Sequence, residues 1–294
     1  MNLLQAIILG IVQGLTEFIP ISSTAHLVFA SRWTGIYLGN PQQITATIAV
    51  IQLGTLAAVI IYFATDIWNI ATAFLRDHWN LLFRKNNVDA STVEGVKPRR
   101  LSDNARLGWL IILGSIPIGF VGLVFKDVIE GEATKNLWLI ATMLIVVAIV
   151  LLIAERVGAH RKQMKDLRLS DALIVGSFQV LALIPGASRS GSTIMGGIFA
   201  GETRETAARF SFLLSIPAIA ASGLLELREA IHILPTESFL PLVVGILVAG
   251  IVGYLSIWAL LAFLRRNSMM VFIVYRLALG SLILILLWRG VIEP

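Results

Sequence analysis

The chain has 294 residues, of which 57% are hydrophobic and 14% charged, and its mean hydropathy is +0.84. That balance excludes an ordinary soluble domain and points to a polytopic membrane protein. The net charge of +5 follows from basic loops between apolar spans, so no nucleic-acid partner is expected, and the absence of cysteine removes disulfides, thiol nucleophiles and cysteine metal sites without fixing a compartment.

In chain order, residues 3–18 read as an apolar helix that Pro20 and the run Ser22, Ser23, Thr24 interrupt, and residues 24–35 as a second short segment. The start has no basic region or small-residue cleavage pattern, so a cleaved signal peptide is not expected. Crossing a hydrocarbon core of about 30 Å takes about 20 helical residues, so the two short pieces read as a re-entrant hairpin. Residues 42–64 are long enough to span. From Thr65 to Asp103 a polar connection follows, read as a solvated loop with a short surface helix near Trp68 to Phe83. Spans are expected at 105–126 and 136–155, then a basic linker from Arg156 to Arg168. The opening pattern returns at 170–185, where Pro185 and Gly186 stop a half-helix before another from Gly191 to Gly201. Spans at 207–228, 239–264 and 268–289 complete the chain.

The expected fold is therefore all-α, a single membrane domain over 1–294 built as an inverted repeat. Residues 1–157 carry one re-entrant hairpin (3–35) and three spans, and residues 158–294 another hairpin (170–202) and three more. Gly10 and Gln13 recur as Gly176 and Gln179, and Pro20 as Pro185. An odd number of crossings in the first half brings the second in from the opposite face, so the hairpin tips can meet near the midplane. Of the 23 basic residues, 16 fall in the loops after residues 64, 155, 201 and 264, which all lie on one side in this plan. The positive-inside rule puts those loops in the cytoplasm and the first hairpin's mouth outside. Trp33, Trp109, Trp138 and Trp288 near span ends fit an aromatic belt.

The chemistry gathers at the two interruptions. Glu17 follows Gln13 by four, so both project from one helical face, where a carboxylate and an amide oxygen could hold Mg2+ or Ca2+ or simply pair with a neighbouring helix. Ser22, Ser23 and Thr24 are natural helix caps, yet the positive end of a half-helix also attracts an anion that a hydroxyl can attack. His26 lies three after Ser23 and is a candidate base or nucleophile. In the second interruption Gly186 and Gly191 admit close backbone approach, and Ser188, Ser190, Ser192 and Thr193 offer donors. Arg189 there needs an anion at bilayer depth, which phosphate or Glu17 would satisfy. Arg276 in the last span is a second buried cation, expected to meet a phosphate or carboxylate. Gln52 is weighed evenly between function and an interhelical hydrogen bond, and His78, His160 and His232 are read as loop residues with no metal-ligand spacing. These groups make a phosphate site in a membrane, which suits either lipid-phosphate hydrolysis or transport of an anion or lipid head group.

QGLTEFIPISSTAHL and PGASRSGST resemble the two signature motifs of the undecaprenyl-diphosphatase family, also called the bacitracin-resistance protein family. IQLGTLAAV at 51–59, FSFLLSIP at 210–217 and VYRL at 274–277 extend the likeness along the chain. The resemblance implies a phosphatase of the bacterial plasma (inner) membrane that cleaves undecaprenyl diphosphate to the monophosphate. That reaction recycles the carrier lipid for peptidoglycan and confers bacitracin tolerance; a lipid-phosphate transporter or flippase is the alternative. It also implies Ser23, His26, Glu17 and Arg189 as catalytic residues, with a divalent cation, Mg2+ or Ca2+, at Glu17. Gln13, Ser22, Thr24, Ser188, Ser190, Thr193 and Arg276 are the expected substrate-binding residues. Gln13 stands where the family has an acidic residue, which weakens the case for two metal-binding carboxylates. The expected partners are the polyprenyl diphosphate, the bilayer and a second copy in a homodimer, with the site open to the outer, periplasmic side.

Overall fold

The computed structural model describes residues 1–36, 40–83, 101–125 and 136–293, and these fold almost wholly into helices with no named strand among them. In chain order they are α1 (Leu3–Phe18), α2 (Ser23–Thr34), α3 (Pro41–Tyr62), α4 (Ala64–Phe83), α5 (Asp103–Val124), α6 (Leu137–Val157), α7 (Leu169–Gln179), α8 (Arg189–Phe199), α9 (Arg204–Ile233), α10 (Phe239–Leu264) and α11 (Met270–Trp288). Six of them, α3, α5, α6, α9, α10 and α11, are long and apolar enough to cross a membrane, so the chain is a multi-pass membrane protein. Local chemistry sets their starts. Asn40 caps α3 with Pro41 in its first turn, and the side chains of Ser102, Asn136 and Thr203 accept a backbone N–H at the starts of α5, α6 and α9.

α1 and α2 are separated by only Ile19 to Ser22, and α7, extended by a 3-10 turn over Val180–Leu183, is separated from α8 by Ile184 to Ser188. These are the two interruptions read from the sequence. α1 packs on α10 and α7 on α5; α3 pairs with α9, and α6 with α11. Between apolar helices in lipid, close van der Waals approach does the work that water exclusion does elsewhere. Glycine supplies it at two matching places. A Cβ on Gly10 would lie 2.6 Å from the Gly245 carbonyl oxygen of α10, and one on Gly176 only 2.0 Å from the Gly114 carbonyl oxygen of α5.

The largest apolar cluster lies around the end of α1, with Phe18 against Phe212 of α9 in an edge contact of 5.3 Å between ring centroids. At the foot of the second hairpin, Lys162 bonds Asp171 at 2.7 Å while the main chains of residues 161–162 and 201–203 hydrogen-bond each other. The entry and exit of that hairpin are thereby tied.

The polar connection differs from the sequence reading. The surface helix expected near Trp68 to Phe83 is present as α4, but it starts earlier, at Ala64, with only Phe63 between it and the end of α3; residues 84–100 lie outside the described residues. Arg209 of α9 fixes this corner, bonding Asp66 at 2.9 Å and sitting over the Phe63 ring. His78 and His232 accordingly lie in helices α4 and α9, not in loops, because the helices extend further than the hydropathy runs. His78 is held by the Phe74 carbonyl and the Trp109 indole, which leaves it a packing role.

Candidate active site

Each interruption ends in a serine that caps the next half-helix. Ser22 has φ 77° and accepts from the Ala25 N–H; Ser188 has φ 70° and accepts from the Gly191 N–H at 3.1 Å. Positive φ is strained for a side chain with a Cβ, so both turns are held by their surroundings. Much of that hold comes from Arg276. Fully buried on α11, its guanidinium donates to the carbonyls of Pro20, Gly186 and Ala187 in the two interruptions, and to those of Met143 and Leu144 on α6. The Ser190 hydroxyl adds a second tie, donating to the Glu17 carbonyl at 3.1 Å at the end of α1. The two tips therefore lie against one another, with the starts of α2 and α8 together.

Glu17 is the focus of what they enclose. Its Oε2 accepts from the Ser23 hydroxyl at 3.0 Å and from Gln13 Nε2 at 3.1 Å. Its Oε1 accepts from Gln52 Nε2 at 3.3 Å and faces the Arg189 guanidinium at 3.3 Å. Three hydrogen-bond donors and a facing guanidinium thus gather on one carboxylate, in a place where a lone charge would be costly. Arg189 is less satisfied. Its NH1 lies within ion-pair distance of Glu17 but lacks hydrogen-bond alignment, and its Nε has no partner among the described residues. A cavity beside this pair is walled by Ser190 and, from α9, by Ser211, Phe212 and Ser215.

The remaining expected residues divide into those in this cluster and those beneath it. Ser22 and Ser188 serve as caps, and Thr24 is exposed at the start of α2. Thr193 is buried under α8, bonding the Arg189 carbonyl and the Ser211 hydroxyl of α9. Arg276, expected to face an anion, faces main-chain carbonyls instead, whose summed dipoles take the place of the expected carboxylate or phosphate. His26 sits three residues from Ser23 but turns elsewhere: Nδ1 lies 2.7 Å from the Ser22 carbonyl oxygen and Nε2 2.6 Å from the Tyr275 hydroxyl. Ser23 thus contacts Glu17, and His26 contacts Tyr275.

Three residues at the site were given no role from sequence. Gln52 was weighed evenly and proves to be a Glu17 ligand; its place in IQLGTLAAV was the available signal. Ser211 and Tyr275 lie inside FSFLLSIP and VYRL, segments noted only as likenesses.

As to a metal, among the described residues no three His, Cys, Asp or Glu side chains converge on one point. Glu17 does supply a carboxylate, and the buried Gln13 Oε1 has no partner, a hard-oxygen pair that fits an Mg2+ or Ca2+ arriving with phosphate oxygens rather than a self-contained cage.

The undecaprenyl-diphosphatase of Syntrophobacter fumaroxidans is 51% identical over 290 residues, covering 98% of this chain and 99% of its own. The enzymes of the same name from Myxococcus xanthus and Chlorobaculum tepidum are 46% and 45% identical; each alignment covers all of this chain, with 92% and 100% of the relative. The family model described as bacitracin resistance protein BacA matches residues 6–282, a span that holds both interruptions and Tyr275 and Arg276, and the chain belongs to that family.

Proposed function

We propose that this protein hydrolyses undecaprenyl diphosphate to undecaprenyl phosphate and inorganic phosphate, returning the carrier lipid to cell-wall synthesis and conferring bacitracin tolerance. The observation that carries the reading is a hydroxyl aimed at a carboxylate, Ser23 on Glu17 at 3.0 Å, opposite an incompletely partnered guanidinium, Arg189, at the start of the facing half-helix. Transport alone gives such a pair no task.

In this mechanism the terminal phosphate of the lipid enters between the starts of α2 and α8. Their free N–H groups and the unpartnered N–H groups of Arg189 bind its oxygens, with Thr24 and Ser188 at the rim. Ser23 Oγ attacks the terminal phosphorus while Glu17 takes its proton. The bridging P–O bond breaks and the lipid monophosphate leaves with the electron pair. Water then cleaves the phosphoseryl bond, releasing inorganic phosphate, and Ser23 recovers its proton from Glu17. Phosphoryl transfer gains chiefly from positioning and charge stabilisation, which Arg189 supplies. A divalent cation held by Glu17, Gln13 Oε1 and the substrate's own oxygens would add charge neutralisation.

The fold reading belongs to the same proposal: a single membrane domain made of an inverted repeat, with each hairpin re-entrant. Its support is internal. α1 and α7 start 166 residues apart, as do α2 and α8, and the two positive-φ cap serines keep that offset. The pairings respect it too, since α1 lies on the second half's middle span and α7 on the first half's. Charge asymmetry among the loops supports a plasma-membrane protein with the site open to the outer side, and a homodimer is the proposed assembly.

The test is phosphate release from a long-chain polyprenyl diphosphate by purified protein in detergent, with and without EDTA. Release by the parent that Ser23→Ala abolishes is the expected result. Parental turnover in Ser23→Ala would remove Ser23 as nucleophile, and no release from folded, lipid-binding parent under any divalent cation would replace hydrolysis with transport.

A further inference from the structure

The histidine of the first motif does not touch the serine it follows, and what it does touch determines its protonation. A carbonyl oxygen can only accept, so the 2.7 Å contact with Ser22 makes His26 Nδ1 the protonated nitrogen. In the neutral ring Nε2 is then an acceptor, and the Tyr275 hydroxyl 2.6 Å away is its donor. The rings are near parallel, 11° apart, which holds the hydroxyl on the ring's edge. Tyr275 is placed by its neighbour. Arg276 is locked inward onto the carbonyls of both tips, and the next residue along a helix points about 100° away. Tyr275 is accordingly 41% exposed.

We infer that Tyr275 is a positioning residue for His26: its hydroxyl keeps Nδ1 protonated on the Ser22 carbonyl and leaves Nε2 as the basic nitrogen, directed away from Ser23. This rests on the phosphatase reading and divides its proton work. Glu17 serves the Ser23 hydroxyl; His26 serves the water that cleaves the phosphoseryl bond. In that step the water oxygen bonds to phosphorus and the Ser23 Oγ–P bond breaks. The water proton passes to Nε2, vacated as the half-exposed Tyr275 hydroxyl turns outward, and Glu17 returns the proton to Ser23; His26 then gives its Nε2 proton to the departing phosphate, which restores the neutral ring.

The deciding measurement is 15N NMR of the whole protein labelled at its four histidines, with His26 assigned by loss of its signals in His26→Gln. In the parent, Nδ1 should appear protonated and Nε2 as a hydrogen-bonded acceptor; Tyr275→Phe should shift Nε2 and mix the tautomers. Turnover should fall roughly tenfold in Tyr275→Phe with little change in KM. A parent spectrum with protonated Nε2 and bare Nδ1 overturns the inference, even if the variant does not fold. So does a Tyr275→Phe protein with unchanged His26 signals and unchanged turnover. Absence of phosphate release by the parent would sink the phosphatase reading instead, and leaves the tautomer result to stand by itself.

Discussion

The two tips share a backbone and differ in chemistry. At matching positions, 166 residues apart, Ser22 and Ser188 are both positive-φ caps, but the residue that follows is Ser23 in one tip and Arg189 in the other, and both side chains reach Glu17. Three residues further on, His26 in the first tip corresponds to Ser192 in the second. In the proposed inverted repeat the two turns match and their side chains divide the work: the tip with the proposed nucleophile, Ser23, is faced by the tip that carries the Arg189 charge. Two serines would leave the phosphate's charge unmatched. Two arginines would leave nothing to attack.

The largest expected effect comes from erasing that division. Arg189→Ala should lower turnover by about 10^3-fold, as loss of a charge-stabilising donor does in phosphoryl transfer. A steady-state assay on folded protein checks it; near-parental turnover would mean the second tip only supports the first. Glu17→Gln keeps the shape but removes the proposed base, and should cost about 10^2-fold or more in the same assay.

The feet of the hairpins differ as well. Glu202 of the second is matched by Ile36 of the first, and both are buried. Burial, with the neighbouring Asp171 charge, raises the Glu202 carboxyl from its usual 4.5 to about 8. Its folded form therefore holds a proton that the unfolded chain loses near 4.5, so stability should fall as pH rises from about 4.5 to 8 and level off above, by on the order of a few kcal/mol. Glu202→Gln should flatten that slope in thermal unfolding between pH 5 and 9; an unchanged slope would show that another group carries it.

The glycine contacts sharpen the comparison. Gly176→Ala meets a backbone oxygen at 2.0 Å and Gly10→Ala one at 2.6 Å, so the first should destabilise more, within the roughly 1–3 kcal/mol typical of overpacking. The ranking of melting temperatures tests it. Smallest are the caps: Ser22→Ala and Ser188→Ala should each cost about 1 kcal/mol, while glycine at either site relieves the positive φ and should cost less. Equal losses for alanine and glycine would argue against strain there.

Much of this was legible beforehand because membrane spans and their interruptions leave coarse marks. Twenty apolar residues predict a span, and a proline followed by serines predicts a gap, so α1, α2, α5, α6, α10 and α11 fall within a few residues of their expected places. The Glu17–Ser23–Arg189 grouping was foreseen from residue types that hydrocarbon rejects. Directions were not legible. Three-residue spacing puts His26 near Ser23 but cannot say that its ring turns to a helix 249 residues away. Charge at depth asks for a partner for Arg276 but does not distinguish a carboxylate from five carbonyls. Where α4 begins was missed because Thr65 and Asp66 read as the start of a polar connection, while a single residue, Phe63, is enough to turn the chain from α3 into a new helix.

Arg276 has one more implication, for how such an enzyme can change over generations. It grips Pro20, Gly186 and Ala187 by their main-chain oxygens, which every amino acid possesses. Replacing any of those residues leaves the handle in place, provided the turn still forms. The clamp itself reads no side chain at the tips; identity is restricted there only where the backbone demands it, as at Gly186, whose φ is 91° and where a Cβ would lie 2.4 Å from the Ile140 carbonyl oxygen. Arg276 has no substitute elsewhere along α11, which holds no other basic residue.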